Sequence, residues 1–147
     1  MSDIFEKDKY QQIVDKKSPS SKCFKNSIKA FFIGGIICTI GQCFLSFYQN
    51  LNLSEELAGS ATSISMILLS VLATGFDLYP KIAKHGGAGT LVPITGFANA
   101  VSAPAIEAKT EGYILGVGAK IFTIAGPVIL YGTVASVIAG FIFYFTA

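Results

Sequence analysis

Few residues in this chain could do chemistry, and most of them fall between positions 86 and 120. Gly86, Gly87, Gly89 and Thr90 leave backbone N–H groups unencumbered just ahead of a helical run. Together with the positive end of the helix dipole they make an anion cradle. The turn lacks the terminal Lys and Ser or Thr of a phosphate-binding loop. Asn99 adds a carboxamide, and Glu107, Lys109 and Glu111 follow within one short peptide. If that peptide reaches a membrane surface, its charges are simply solvated; at depth they must pair or face water. Lys120 sits between Ala119 and Ile121. At the centre of a bilayer its charge would cost about 2.5–3.5 kcal/mol, so it either snorkels to the surface or supplies positive potential to an anion route.

The sequence offers no nucleophile–base pair, metal-ligand cluster or cofactor motif, which argues against an enzyme, a metal site or a bound cofactor. Cys23, Cys38 and Cys43 have neither metal spacing nor a disulfide framework and read as reduced thiols. His85 is the one histidine, and it reads as an interface residue in the pH range where histidines change charge.

Composition says what must hold these residues. The 147-residue chain is 52% hydrophobic and 14% charged, with mean hydropathy +0.59. Soluble domains carry about 25% charged residues, so the chain reads as an all-α polytopic membrane protein. Residues 1–29 hold seven Lys against four acids, and residues 30–147 four Lys against five, with no Arg anywhere. The division is a polar basic tail, 1–29, and a membrane domain, 30–147. Beside an apolar helix the basic tail reads as a cytoplasmic flank rather than a nucleic-acid arm. Within the tail, Phe5, Tyr10, Ile13 and Val14 pattern as a weak amphipathic helix that Ser18-Pro19 ends.

Three transmembrane helices are predicted, at 30–48, 58–76 and 127–146, with a discontinuous Gly/Pro-broken segment at 86–126. The first is about 28 Å long, enough to span. Gly34, Gly35 and Gly41 on it, Gly112 and Gly116 in the broken segment, and Gly132, Ser136 and Gly140 on the last helix are expected at packing faces. Gln42 is expected to bond across helices. Ser54 is placed as the cap of the second helix, with Glu55 and Glu56 suiting its dipole. In the broken segment, Thr90 is expected to cap a half-helix over 91–102, Pro104 to restart a short helix, and Gly126-Pro127 to break and restart the chain again. The Lys distribution puts the N-terminus and His85 on the cytoplasmic side and residues 52–56 across the membrane.

Three strings carry a specific resemblance: KAFFIGGIICTIGQ at 29–42, GGAGTLVPITGFAN at 86–99 and IEAKTEGYILGVGAKIFTIAGPVILYG at 106–132. In this order, over about residues 27–140, the chain resembles the stage V sporulation protein AC family of endospore formers, and its long polar tail favours the AC type over the shorter AE-b type. The resemblance implies a channel-like subunit in the forespore and spore inner membrane. It implies passage of dipicolinic acid, free or as its calcium complex, in sporulation and germination. It also implies oligomers with other stage V sporulation A-type proteins, a membrane paralogue and a soluble partner. Dipicolinate carries two negative charges, so Lys109, Lys120 and the 86–90 turn would supply its positive potential. Glu107 and Glu111 would suit calcium. A scaffold that assembles the complex without lining the conduit fits the small-residue stripes equally well.

Overall fold

The computed structural model describes residues 22–146 together with Tyr10, Ile13, Val14 and Lys17. Those four are helical and exposed, while Phe5 and the Ser18-Pro19 break lie outside the described residues. The described chain is helical with no strand. Helix α1 (Cys23–Asn50) begins seven residues before the expected span. At about 42 Å it exceeds a ~30 Å hydrocarbon core, so its Lys25 and Lys29 turns project from the membrane. Helix α2 (Glu55–Gly75) returns antiparallel to it. Gly41 lies 3.8 Å from the Met66 methyl (measured from a Cβ built on the glycine), and the Tyr48 and Ser65 hydroxyls are 2.7 Å apart. Ser54 stands at the cap position of α2 without a side-chain bond to the helix. Gln42 turns the other way from expectation, its amide donating to Ser46 on its own helix at 3.5 Å.

After α2 the chain does not leave the membrane face and cross again. Asp77, at φ +56, turns it into the short helix α3 (Tyr79–Gly86), and a 3-10 turn (Gly87–Thr90) carries it against α1. Helix α4 (Pro93–Glu107) then runs parallel to α2. Two hydrogen bonds fix that register, Ser70 to the Thr95 carbonyl at 2.6 Å and Thr74 to Asn99 at 2.9 Å. Thr95 therefore starts α4 about 7 Å inside the end of α2, and the helix leads back out on the side from which it entered. Segment 79–107 is a re-entrant hairpin.

Two expected breaks are absent. Pro104 lies inside α4 and Pro127 inside α5 (Ala119–Thr146). Each proline forfeits one backbone bond, which membrane helices absorb by local adjustment and neighbouring hydroxyls. Thr90 is not the cap of α4. Its hydroxyl donates to the Gly87 carbonyl at 2.9 Å, and Val92 precedes the first turn in an extended conformation, as a residue before proline prefers. Pro93 does occupy the first turn, where its missing donor costs little.

A second 3-10 turn (Ala108–Glu111) and Gly112, at φ +96, reverse the chain. A π-helical segment (Tyr113–Gly118) leads without interruption into α5, giving one apolar rod of 34 residues. That rod returns alongside α4 and continues past it to the far side. The arrangement has three spans, with residues 23–29, 76–88 and 107–113 at one face and residues 50–54 and 146 at the other. No residue of α1 or α5 is buried within the chain.

Single cysteines placed at Glu55, Lys84 and Glu111, after Cys23, Cys38 and Cys43 are changed to Ser, test this path in sealed vesicles. Positions 84 and 111 are expected to react with an impermeant maleimide from one side and position 55 from the other. Labelling of 111 and 55 from the same side would mean that the broken segment crosses.

Candidate functional site

The re-entrant hairpin and the end of α2 that it packs against gather the buried polar groups of the described residues. Ser70, Thr74, Thr90 and Thr95 are all buried, and three of them meet on the seam between α2 and α4. Helical spacing dictates this: Ser70 and Thr74 are one turn apart on α2, Thr95 and Asn99 one turn apart on α4. The Thr74 hydroxyl donates to the Ser70 carbonyl at 2.7 Å and to Asn99 Oδ1 at 2.9 Å, one proton shared by two acceptors. Half-buried Asn99 keeps its two amide donors without a partner among the described residues. The Thr95 hydroxyl is buried and also unpaired. On the other wall, Tyr79 is buried and donates to the Thr90 carbonyl at 2.8 Å, closing the neck of the hairpin.

Asn99 alone among the expected route residues lies on this seam. Gly89 and Thr90 are buried in the 3-10 turn. A Cβ on Gly89 would overlap the Ala30 carbonyl, so this glycine permits backbone contact with α1 rather than opening a cradle. Gly86 is pressed between Ile33 and Thr90, while Gly87, at φ +49, is exposed. Glu107, Lys109 and Glu111 are exposed on the hairpin's outer turn, on the same face as the start of α1. Among the described residues no acidic cluster could hold a metal ion. Lys120 is exposed on the rod, seven residues and about 10 Å from Tyr113 at the polar turn, a distance its side chain can snorkel.

The packing glycines divide. Gly34 supports the 3-10 turn, a Cβ there meeting the Gly89 carbonyl oxygen at 3.2 Å, whereas Gly35 faces open space. Gly116 fits under the Ala108 carbonyl, and its expected partner Gly112 makes the reversal instead of a helix contact. A Cβ built on Gly132 or Gly140 would meet no atom within 4 Å, and both glycines and Ser136 are exposed on α5.

Beside the seam, α4 and the rod enclose a groove of about 1000 Å³ with α2. Ile67, Phe97, Val101, Val117 and Ile121 wall it, and Lys109 stands at its end. Such a lining suits an apolar occupant, not the passage of an ion. The sequence singles out Asn99 as a polar group in an apolar run but does not mark Ser70, Thr74 or Thr95 as its partners. The signal was present in their four-residue spacing on two separate segments.

The sequence model of the SpoVAC/SpoVAEB sporulation membrane proteins matches residues 26–142. Stage V sporulation protein AC of Bacillus subtilis (strain 168) is 43% identical over 137 residues, covering 92% of this chain and 91% of that protein. No solved structure matches. With three spans and a re-entrant hairpin inside the matched region, the chain belongs to the SpoVAC/SpoVAEB family of sporulation membrane proteins.

Proposed function

We propose that this protein is a membrane subunit of the assembly that moves dipicolinic acid, free or with calcium, across the forespore and spore inner membrane in sporulation and germination. The observation that carries the reading is the re-entrant hairpin, which sets Asn99 against Thr74 of α2 with its two amide donors unpartnered among the described residues. Backbone that turns back inside a membrane persists where it is buried in protein or lines water. An amide with two free donors suits the carboxylate oxygens of a dianion, and being neutral it does not trap the ion. The start of α1, with Lys25 and Lys29, shares a face with the Lys81–Lys84 segment, which the positive-inside bias makes cytoplasmic. Three spans and a hairpin cannot enclose a route alone. The uncovered α1 and α5 therefore face further copies or other stage V sporulation A-type proteins, a membrane paralogue and a soluble partner.

The test replaces the chromosomal copy of a spore former with single variants and measures dipicolinate per spore. Asn99→Leu is expected to lower the content severalfold with the protein still present in the membrane. Lys120→Gln is expected to leave it near the native level. Native dipicolinate in Asn99→Leu spores removes the hairpin from the route and leaves the scaffold as the better account.

A further inference from the structure

At the mouth of the hairpin, where the end of α3 meets the start of α1, lies a second cavity of about 440 Å³. Lys29 enters it from α1 and Lys84 and His85 from α3, with Asn26 and Ser27 as neutral neighbours and the Gly86–Gly87 backbone as its floor. Among the described residues no carboxylate lines it. The salt bridge there, Lys81 to Asp77 at 3.6 Å, lies outside its wall. His85 Nδ1 is 3.0 Å from the Lys81 carbonyl oxygen. That oxygen can only accept, so Nδ1 carries the proton; in the neutral ring Nε2 is then an acceptor, and the donors left for an anion are the two ammonium groups with Asn26 and Ser27.

A cytoplasmic flank needs its lysines near the membrane, but it does not need them around one hollow. Two ammonium groups from different helices repel each other across such a space, and an anion between them reverses the sign of that interaction. We propose that this pocket binds a phosphate or carboxylate oxyanion. Two sources share that chemistry: the phosphate of an anionic lipid headgroup, and a soluble phosphate or small dicarboxylate. The pocket stands on its own lining and does not require that the hairpin conduct dipicolinate.

The experiment uses the full chain, purified in detergent and stripped of lipid. Native mass spectrometry measures retention of added phosphatidylglycerol against phosphatidylcholine. Calorimetry measures binding of inorganic phosphate and of pyridine-2,6-dicarboxylate. At least one of the anionic probes is expected to bind, with Lys29→Gln and Lys84→Gln each weakening it about tenfold or more. Lys25→Gln, which lies outside the lining, is expected to leave it unchanged. These positions are exposed, and unchanged circular dichroism confirms that the variants fold. Selective retention of phosphatidylglycerol identifies a headgroup site, and binding of the soluble anions identifies a solute site. The proposal is overturned if no anionic probe binds, or if Lys25→Gln weakens binding as much as Lys84→Gln does. Either failure leaves the spore measurement at Asn99 unaffected.

Discussion

Gly89→Val is expected to abolish accumulation of folded protein, while Gly35→Val on the neighbouring helix leaves it close to native. The difference lies in what each added side chain meets. At Gly89 even a Cβ overlaps the carbonyl, carbonyl carbon and Cα of Ala30, all of them backbone atoms in the middle of a helix. Backbone cannot swing aside as a side-chain tip can. The 3-10 turn would have to leave α1, and the Gly34 contact and the Tyr79–Thr90 bond at 2.8 Å would go with it. Overpacking a core that can adjust costs about 1–3 kcal/mol, and here the adjustment is loss of the hairpin. Gly35 has no atom within 4 Å of its built Cβ, and helix propensity there favours a side chain. Membrane-fraction yield and the unfolding midpoint in detergent check the pair. Equal yields would mean that the hairpin does not rest on α1.

The three spans were legible because long apolar runs have few alternatives. α1 and α2 follow their runs closely at the lipid end and overshoot where polar residues continue the helix into water. The discontinuity between positions 86 and 126 was legible too, from Pro93 and the clustered glycines. Its geometry was not. Pro104 and Pro127 read as breaks because a soluble helix loses about 3 kcal/mol at an interior proline. Inside a membrane unfolding the helix exposes still more backbone, so the cheaper outcome is a continuous helix with one bond missing. The hollow formed by Lys29, Lys84 and His85 was beyond reach for a different reason. Its residues lie over fifty positions apart, with Lys29 already accounted for in the basic tail and His85 as an interface residue. Only the fold of α3 back onto α1 makes them neighbours. Asn99 was singled out as a polar group in an apolar run, but its register against Thr74 depends on α4 running parallel to α2, which no local pattern specifies.

That register makes the α2–α4 seam a place where small changes should have opposite signs. Ser70 is 2% exposed, and its hydroxyl reaches the Thr95 carbonyl at 2.6 Å. Ser70→Ala removes a single interhelical bond, worth about 0.6–1.7 kcal/mol in membrane proteins, and is expected to lower stability modestly. Ser70→Leu has a far larger effect, because the added carbons must enter the space where the backbone of α4 sits against α2. It is expected to push α4 off the seam and, on the proposed function, to leave spores with little dipicolinate. Thr95→Val goes the other way. The Thr95 hydroxyl is buried with no partner, and such a group costs about 1–3 kcal/mol. Replacing it by a methyl of similar size is expected to raise the unfolding midpoint. If the seam carries the dianion, the same variant lowers dipicolinate uptake, since a donor on the route is lost while the fold gains. A structural seam gives the rise in stability with unchanged uptake. Ser70→Leu protein as stable and as active as native would mean that α4 does not pack on α2 in this register.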